Sequence, residues 1–246
     1  MVDFMELKLF QKGFNYSQDG PGNRLIYHLK GCNLTCPWCS NPEGMSISEN
    51  GGFTLTVEQL VNEAKSCMPM FFDGGGITFT GGEATCQAPQ LKQALLELTN
   101  SGINTCIETN GTYKNLPDLF PIINHLIIDL KHPDNTIHKE LLGLGNEVIK
   151  DNIFKAAKSH RDLLVRIPLI NGINTSDETV DSFIEFFKST DYKNYRIELL
   201  KYHEYGKDKW QKCGKEYTVK NANVSEQLRL QIENKMKNNG LNIVRT

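Results

Sequence analysis

Three of the seven cysteines, Cys32, Cys36 and Cys39, lie within eight residues, in a loop that directly follows the apolar run 25–30. Thiolates this close together indicate a bound metal. Zinc commonly takes two Cys or Cys/His pairs, and the sequence has no second pair, because the other four cysteines are scattered singly. A [4Fe-4S] cluster has four irons bound by thiolates, so three cysteines leave one iron open. The spacing C-x-x-x-C-x-x-C therefore favours such a cluster, with a zinc site completed by a distant residue as the alternative.

Six other polar segments accompany the loop along the chain. They are Asp19-Gly20-Pro21-Gly22, Thr80-Gly81-Gly82-Glu83, Glu108-Thr109-Asn110-Gly111, Asp129-Leu130-Lys131, Val165-Arg166-Ile167-Pro168 and Tyr202-His203-Glu204-Tyr205-Gly206-Lys207. With Trp38 before the third cysteine, the loop resembles the signature of the radical S-adenosylmethionine (radical SAM) enzymes. The whole chain resembles one branch of them, the glycyl radical enzyme activating proteins, in the compact pyruvate formate-lyase type. So many motifs in one order are a stronger signal than a cysteine loop alone.

The resemblance implies an oxidoreductase. In the family, the open iron binds the methionine part of S-adenosylmethionine and the cluster passes one electron to the sulfonium. The resulting 5′-deoxyadenosyl radical takes a Cα hydrogen from a glycine of a partner enzyme. Two alternatives remain: radical SAM chemistry on a small molecule or peptide, and a zinc-stabilised binding module without turnover. Matches outside the cofactor site, at 19–22 and 202–207, favour the activating enzyme.

The resemblance also implies which residues bind S-adenosylmethionine, and it names no catalytic side chain beyond the cluster and the cofactor. Gly81, Gly82 and Glu83 match the segment that holds the methionine amino group, although two glycines after a strand are also an ordinary tight turn. Asp129 and Lys131 flank Leu130, so strand alternation places both on one face.

Lys131 matches a residue that binds the carboxylate of the cofactor's methionine part. Arg166, on the next strand, is expected to point toward the same binding site. The alternative for Asp129 and Lys131 is a solvated ion pair at a strand end. His203 matches a histidine near the ribose, and Asn41 matches a residue close to the cluster loop. A plain structural hydrogen bond is the alternative for both of these.

Two further contacts are expected from the resemblance. Glu108 aligns with an aspartate that, with Thr109 and Asp129, helps bind a monovalent cation in the compact enzymes. Hard cations prefer carboxylate and carbonyl oxygens, and glutamate is one methylene longer, so the site either persists with the backbone set back or is filled by the side chain. Asp19 matches a residue that contacts the partner's peptide.

Three helices are predicted from local patterns. Thr56 and Gln59 form a capping box that opens the first helix, and Pro89 fits the first turn of the second. The apolar face of the second helix recurs at the helical period, at Leu91, Ala94, Leu95 and Leu98. A further helix is predicted at 116–123.

Strand and helix patterns alternate along the chain, which predicts parallel strands with right-handed crossovers. Periodicity alone leaves a doubly wound sheet and an incomplete barrel open. The resemblance favours an α/β fold of the partial (β/α)6 barrel type, with outer helices. We expect a single domain over 1–246, with the cluster loop at 31–43, an irregular stretch at 205–223 and a helical tail at about 225–240.

Composition and charge indicate which classes of binding partner and which cellular location to expect. The formal charge is −2 and the pI is near 6.3, so no basic field favours nucleic acid. No apolar run is long enough for a membrane span, and the amino terminus lacks a signal-like apolar segment. We expect a cytoplasmic monomer of anaerobic metabolism that receives electrons from a flavodoxin or ferredoxin-type donor. The other cysteines read as core or surface thiols.

The cysteine loop resembles one subgroup of the activating enzymes, whereas the architecture resembles the compact type. Many activating enzymes with a Cys-x-Trp-Cys-Ser-Asn-Pro-Glu loop like this one also carry an inserted ferredoxin-like segment with two more clusters. Here the corresponding interval, 44–77, contains only Cys67. The identity of the partner enzyme is therefore open at this stage.

Overall fold

A computed structural model of the chain describes residues 5–48, 51–190 and 192–246. The chain divides into two compact units. The first consists of Met1–Asn33, Asn41–Thr109 and Asp118–Ile127, and the second of Leu34–Ser40, Asn110–Pro117 and Ile128–Thr246. The cysteine loop contributes to both, because Cys32 belongs to the first unit and Cys36 and Cys39 to the second.

The first unit is built on a mixed sheet. Its strands are β1 (Glu6–Tyr16), β2 (Asn23–Leu29), β3 (Phe53–Thr56), β4 (Gly76–Gly81) and β5 (Thr105–Thr109). Strand β1 pairs antiparallel with both β2 and β3, whereas β2 and β4, and β4 and β5, pair in parallel. Strand β6 (His125–Asp129) begins in the first unit and ends in the second.

The helices of the first unit begin where the sequence predicts. Helix α1 (Val57–Ser66) has Thr56 at its N-cap, and both hydrogen bonds of the predicted capping box with Gln59 are present. Helix α2 (Ala88–Asn100) carries Pro89 in its first turn, where a missing N–H costs nothing. Its predicted apolar face is buried, at Leu91, Ala94, Leu95 and Leu98.

A buried arginine connects the amino ends of three strands in this unit. Arg24 is fully buried. Its guanidinium donates to Thr78 Oγ1 at 2.7 Å, to the Ile77 carbonyl at 2.7 Å and to Asn104 Oδ1 at 3.0 Å. Thr78 Oγ1 in turn donates to the Asp19 carbonyl at 2.7 Å. Since a buried charge requires hydrogen-bond partners, this network fixes the turn at 19–22 against the sheet.

Besides the end of β6, the residues described in the second unit form three parallel strands and five α-helices. The strands are β7 (Leu163–Leu169), β8 (Arg196–Lys201) and β9 (Ile243–Val244), paired in that order. The helices are α3 (Asn135–Leu142), α4 (Glu147–Ser159), α5 (Asp177–Lys188), α6 (Lys207–Lys212) and α7 (Glu226–Asn238). Short 3-10 helices occur in both units, at Pro42–Gly44, Met68–Met70, Ala84–Gln87, Leu116–Ile122 and Tyr192–Asn194.

The α/β fold with mostly parallel strands is confirmed. In the described ranges, β3 and β9 are end strands of the sheet order, so the strands do not close into a complete barrel. None of the helices in these ranges combines the length and apolarity that crossing a lipid bilayer requires.

Three local expectations need correction. The antiparallel strand β1 was not predicted, because most of its residues are exposed and its pairing is long-range. The predicted helix at 116–123 is a 3-10 helix with Pro121 inside it, since proline cannot donate the backbone hydrogen bond that an α-helix needs. The stretch 205–223, expected to be irregular, contains the short helix α6.

Candidate metal and cofactor site

None of the three cysteines of the loop forms a disulfide; Cys36 is buried, and Cys32 and Cys39 are half-buried. Among the described residues, no three or more His, Cys, Asp or Glu side chains are grouped closely enough to hold a metal ion as they stand. A cluster nevertheless fits the donors by their chemistry, because three cysteines in one loop supply the soft sulfur ligands that iron–sulfur clusters require.

In the first unit, the start of the loop is fixed by backbone hydrogen bonds. Gly31 N donates to the Gly44 carbonyl at 2.8 Å, and Cys32 N donates to the Met45 carbonyl at 2.9 Å. Asn41 begins the 3-10 helix that returns the chain to this contact, and its carbonyl accepts from Gly44 N at 3.0 Å. Asn41 therefore has a structural role in the backbone of the loop.

The glycine pair at the end of β4 lies directly against this part of the loop. Gly81 has a φ of 122°, which favours glycine. A Cβ on Gly82 would lie 2.4 Å from the carbonyl oxygens of both Gly31 and Gly44. Glu83 N donates to the Gly31 carbonyl at 2.6 Å. The Gly-Gly-Glu segment thus supports the cysteine loop through backbone contacts.

The Glu83 side chain is buried and well bonded. Its Oε1 accepts from Thr85 N at 3.0 Å, from Thr85 Oγ1 at 2.6 Å and from Thr109 Oγ1 at 2.7 Å. The same carboxylate caps the 3-10 helix Ala84–Gln87. These bonds fix the orientation of the carboxylate.

The residues expected at a cation site have different side-chain partners in this unit. Glu108 Oε2 accepts from Thr80 Oγ1 at 2.9 Å, whereas the Thr109 hydroxyl donates to Glu83. Neighbouring residues of a strand point to opposite faces, which accounts for this difference. Thr109 could contribute its carbonyl oxygen to a cation, or a lone pair of the hydroxyl.

Asp19 lies just before the amino end of β2, and the cysteine loop follows the carboxyl end of that strand. Asn15 Nδ2 donates to Asp19 Oδ2 at 2.5 Å, so the carboxylate is oriented by its own hairpin. A peptide that contacts Asp19 would therefore do so at the amino end of β2, away from Cys32.

In the second unit, the end of the loop is held by α6 and its approach. Trp210 Nε1 donates to the Cys39 carbonyl at 2.8 Å, and Gly206 lies so close that a Cβ there would be 2.5 Å from the same oxygen. Thr35 N donates to the Leu142 carbonyl at 3.0 Å. Local sequence patterns do not identify Trp210, because its partner is 171 residues away.

Asp129 and Lys131 lie on one face, as predicted. Lys131 Nζ and Asp129 Oδ2 are 2.6 Å apart, and their side chains are 12% and 34% exposed. Asn174 Nδ2 donates to the Lys131 carbonyl at 2.9 Å. The neighbouring His132 is buried, and burial lowers the pKa of its imidazole, so Lys131 and Asp129 are the charged groups of this strand end.

Arg166 and His203 have different surroundings within the second unit. Arg166 is buried, and its Nε donates to Glu198 Oε2 at 2.8 Å. The Arg166 carbonyl accepts from Leu130 N at 2.9 Å, so Arg166 adjoins the 129–131 segment. His203 is exposed, and its ring stacks on Tyr205 with centroids 4.2 Å apart.

Comparison with known proteins shows the family of the chain. Residues 26–186 match the family described as the Radical SAM superfamily. A relative named pyruvate formate-lyase-activating enzyme, from Staphylococcus epidermidis (strain ATCC 12228 / FDA PCI 1200), is 34% identical over 213 residues, covering 83% of this chain and 84% of the relative. A 4-hydroxyphenylacetate decarboxylase activating enzyme from Clostridioides difficile (strain 630) is 31% identical over 265 residues, covering 81% and 83%.

A solved structure is also similar. The crystal structure of a domain of pyruvate-formate lyase-activating enzyme from Bacteroides vulgatus ATCC 8482 matches with a TM-score of 0.57 and 28% identity, covering 69% of this chain and 98% of that one. The chain belongs to the radical SAM superfamily, whose members use a [4Fe-4S] cluster and S-adenosylmethionine.

Replacing Gly82 by alanine tests the backbone contact beneath the loop. The new Cβ would overlap two carbonyl oxygens, so we expect the free energy of unfolding to fall by about 2 kcal/mol or more and reconstituted protein to bind less iron. Gly13→Ala is the matched control, because no atom lies within 4 Å of its Cβ position. Denaturant unfolding and iron analysis measure both effects; equal values for the two variants would refute the contact.

Proposed function

We propose that this protein is a glycyl radical enzyme activating enzyme. One observation carries the proposal: two relatives named as activating enzymes each match more than four-fifths of the chain at more than 30% identity. The three cysteines of the loop, the glycine pair against that loop and the ion pair at 129–131 support the proposal.

The bound [4Fe-4S] cluster would supply the electron that cleaves S-adenosylmethionine, so that a hydrogen atom is taken from Cα of a glycine in the partner enzyme. Cys32, Cys36 and Cys39 would hold the cluster. The protein's own work would then be binding, orientation and exclusion of water, as in other enzymes whose cofactors carry the difficult chemistry.

Each unit would contribute its own contacts to S-adenosylmethionine. In the first unit, the carbonyls of Gly81 and Gly82 and the carboxylate of Glu83 would accept hydrogen bonds from the methionine ammonium, with Asn41 close to the loop. Glu83 suits this role because its carboxylate is already oriented by Thr85 and Thr109.

In the second unit, Lys131 and Arg166 would bind the cofactor carboxylate, with Asp129 as the counter-charge that orients Lys131. His203 would lie near the ribose. The exposed imidazole stacks on Tyr205, and its Nδ1 accepts from Tyr205 N at 3.4 Å, so Nε2 would make such a contact. Asp19 would contact the glycine-bearing peptide of the partner.

The cysteine loop and the interval that follows it resemble different subgroups of activating enzymes. The loop sequence around Trp38 resembles the subgroup with extra clusters, yet interval 44–77 has a single cysteine. The alignment with the 4-hydroxyphenylacetate decarboxylase activating enzyme spans 265 positions, more than the 246 residues of this chain, so that relative carries additional residues. This chain would be the compact form, with one cluster.

The remaining expectations concern the cellular setting. We propose a monomeric, cytoplasmic enzyme of anaerobic metabolism, with a flavodoxin or ferredoxin-type protein as its electron donor and a single domain over its length. The absence of a basic charge balance, with a formal charge of −2, agrees with a protein partner rather than nucleic acid.

Electron paramagnetic resonance tests the proposed activity. Reconstituted protein would be incubated anaerobically with reductant, S-adenosylmethionine and one of three partners: a pyruvate formate-lyase, a 4-hydroxyphenylacetate decarboxylase, or the glycyl radical enzyme encoded nearest to its gene. We expect a glycyl radical signal with one of them and none when its glycine is replaced by alanine. Release of 5′-deoxyadenosine without a radical in any partner would contradict the proposal and favour a small-molecule or peptide substrate.

We also propose that a monovalent cation binds beside the cofactor, with Glu108, Thr109 and Asp129 as ligands. Two carboxylates that face one site repel each other without a counter-charge. Exchanging potassium or sodium for a bulky organic cation should then slow S-adenosylmethionine cleavage, and Glu108→Gln should remove that sensitivity. A cleavage rate that is indifferent to the cation in the unmodified protein would reject the cation site while leaving the proposed activity in place.

A further inference from the structure

Helix α3 ends against the cysteine loop within the second unit. The last residue of the helix, Leu142, has a carbonyl that accepts from Thr35 N at 3.0 Å. The last carbonyls of an α-helix have no partner inside the helix, and here the loop supplies one. Gly143 ends the helix in the left-handed conformation, with a φ of 89°, and a Cβ on it would lie 3.4 Å from Thr35 Oγ1. The end of α3 therefore lies beside the residue that precedes Cys36.

Two of the three cysteines follow this contact directly. Thr35 precedes Cys36, and the Cys36 carbonyl accepts from Cys39 N at 3.1 Å, so both cysteines belong to one short turn. The far end of that turn is held by Trp210, which donates to the Cys39 carbonyl. Its near end is held by the hydrogen bond from Thr35 to Leu142. The position of the last turn of α3 thus sets where the Cys36–Cys39 turn begins.

The chain that leaves α3 is held by a buried histidine. His138 is fully buried, and its Nδ1 lies 2.6 Å from the Leu144 carbonyl oxygen. Since a carbonyl only accepts hydrogen bonds, Nδ1 carries the proton and donates. Burial lowers the pKa of the imidazole, and Nε2 is buried without a hydrogen-bond partner among the described residues. The ring is therefore neutral, and its single N–H is used by Leu144.

The Leu144 carbonyl lies in a segment that its own residues do not make rigid. Leu144 stands between Gly143 and Gly145, and glycine leaves the backbone more conformational freedom than any other residue. The Leu144 side chain is exposed, so its packing contributes little to the position of the backbone. The hydrogen bond from His138 therefore restricts the path of the chain where it leaves α3.

We propose that His138 is a positioning residue for the iron–sulfur cluster. By holding the Leu144 carbonyl, His138 fixes the end of α3. The Leu142 carbonyl then places Thr35, and with it Cys36. This inference rests on the proposed function, because it takes Cys36 as a ligand of the cluster. In this role His138 acts through the backbone and is not itself a ligand.

A purely space-filling role for His138 would give the opposite order of variants. His138→Asn keeps an N–H donor bonded to Cγ, as Nδ1 is, but loses volume. His138→Leu fills more of the space and has no donor. If the hydrogen bond positions the loop, the asparagine variant keeps the loop in place and the leucine variant does not. If volume alone matters, the leucine variant keeps the loop better than the asparagine variant.

Hydrogen exchange tests the step that needs no cluster. The Thr35 amide bonds to the Leu142 carbonyl, so its exchange in iron-free protein reports on the end of α3. We expect this amide to exchange about fivefold faster in His138→Leu than in the unmodified protein, the effect of about one hydrogen bond. The rate in His138→Asn should stay close to that of the unmodified protein. NMR measures both rates, and an unchanged rate in His138→Leu would reject the inference, because His138 would then not act through Thr35.

Iron retention tests the consequence for the cluster. Anaerobically reconstituted protein would be exposed to an iron chelator, and the loss of iron would be followed over time. We expect His138→Leu to lose iron about fivefold faster than the unmodified protein and to shift the electron paramagnetic resonance signal of the reduced cluster. His138→Asn should match the unmodified protein in both measurements. Equally fast loss from both variants would reject the positioning role, because the donor would then make no difference.

His160→Leu is the matched control for a general loss of stability. His160 is another buried histidine of the second unit, and its Nδ1 accepts from Asp162 N at 3.2 Å just before β7. We expect this variant to lower the midpoint of thermal unfolding of iron-free protein without changing the rate of iron loss by more than about twofold. Iron loss as fast as in His138→Leu would attribute the effect to stability and reject the inference.

His138→Met replaces the leucine variant if that variant does not fold, because methionine fills irregular spaces in protein cores and also lacks a donor. We expect His138→Met to show the rates given for His138→Leu. Unmodified protein that holds no iron after reconstitution would overturn the proposed function, and this inference with it. Unmodified protein that holds iron, together with His138→Leu and His138→Met that lose iron no faster, would reject the positioning role alone.

Discussion

The position of the cysteine loop depends on the close approach of Gly82 to the backbone of that loop. The carbonyl oxygens of Gly31 and Gly44 occupy the space that a Cβ on Gly82 would need, and Gly31 N donates to Gly44 O. The end of β4 and the segment that leads into Cys32 therefore meet backbone to backbone at Gly82. Because a backbone contact has no rotamers, it places the first cysteine more rigidly than side-chain contacts would.

The end of the loop is held by different means. Cys39 O accepts from the Trp210 indole, and Gly206 lies against the same carbonyl. The segment 202–207, which the resemblance connects with S-adenosylmethionine through His203, is thus also a support for the third cysteine. The Gly-Gly-Glu segment combines the same two tasks in the first unit. Residues of motifs that the resemblance connects with the cofactor therefore also shape the loop.

Local signals predicted the elements whose stability is local. The capping box at Thr56 and the apolar period of α2 were read correctly because both depend on residues within a few positions of each other. Strand β1 was missed because its burial pattern is irregular and mostly exposed, so little alternation is visible. Helix α6 is short, and the Trp210 contact that accompanies it involves a distant part of the chain.

The same division applies to the candidate site. The motif residues could be named from the sequence, and alternation along the strand placed Asp129 and Lys131 on one face. The partners of Glu83 and Arg166 could not be named, since Thr109 is 26 residues from Glu83 and Glu198 is 32 residues from Arg166. Such pairs depend on which strands are neighbours and on their register, and neither is written in the local pattern.

The central claim is that Cys32, Cys36 and Cys39 hold one cluster that cleaves S-adenosylmethionine. The most direct measurement is the release of 5′-deoxyadenosine by anaerobically reconstituted Cys36→Ala, with iron analysis alongside, against Cys67→Ala as a cysteine outside the loop. Unmodified protein and Cys67→Ala should hold about four irons and release the product, and Cys36→Ala should release none. Product release by Cys36→Ala under strong reductant would contradict the account, as would an iron content near eight or twelve in the unmodified protein.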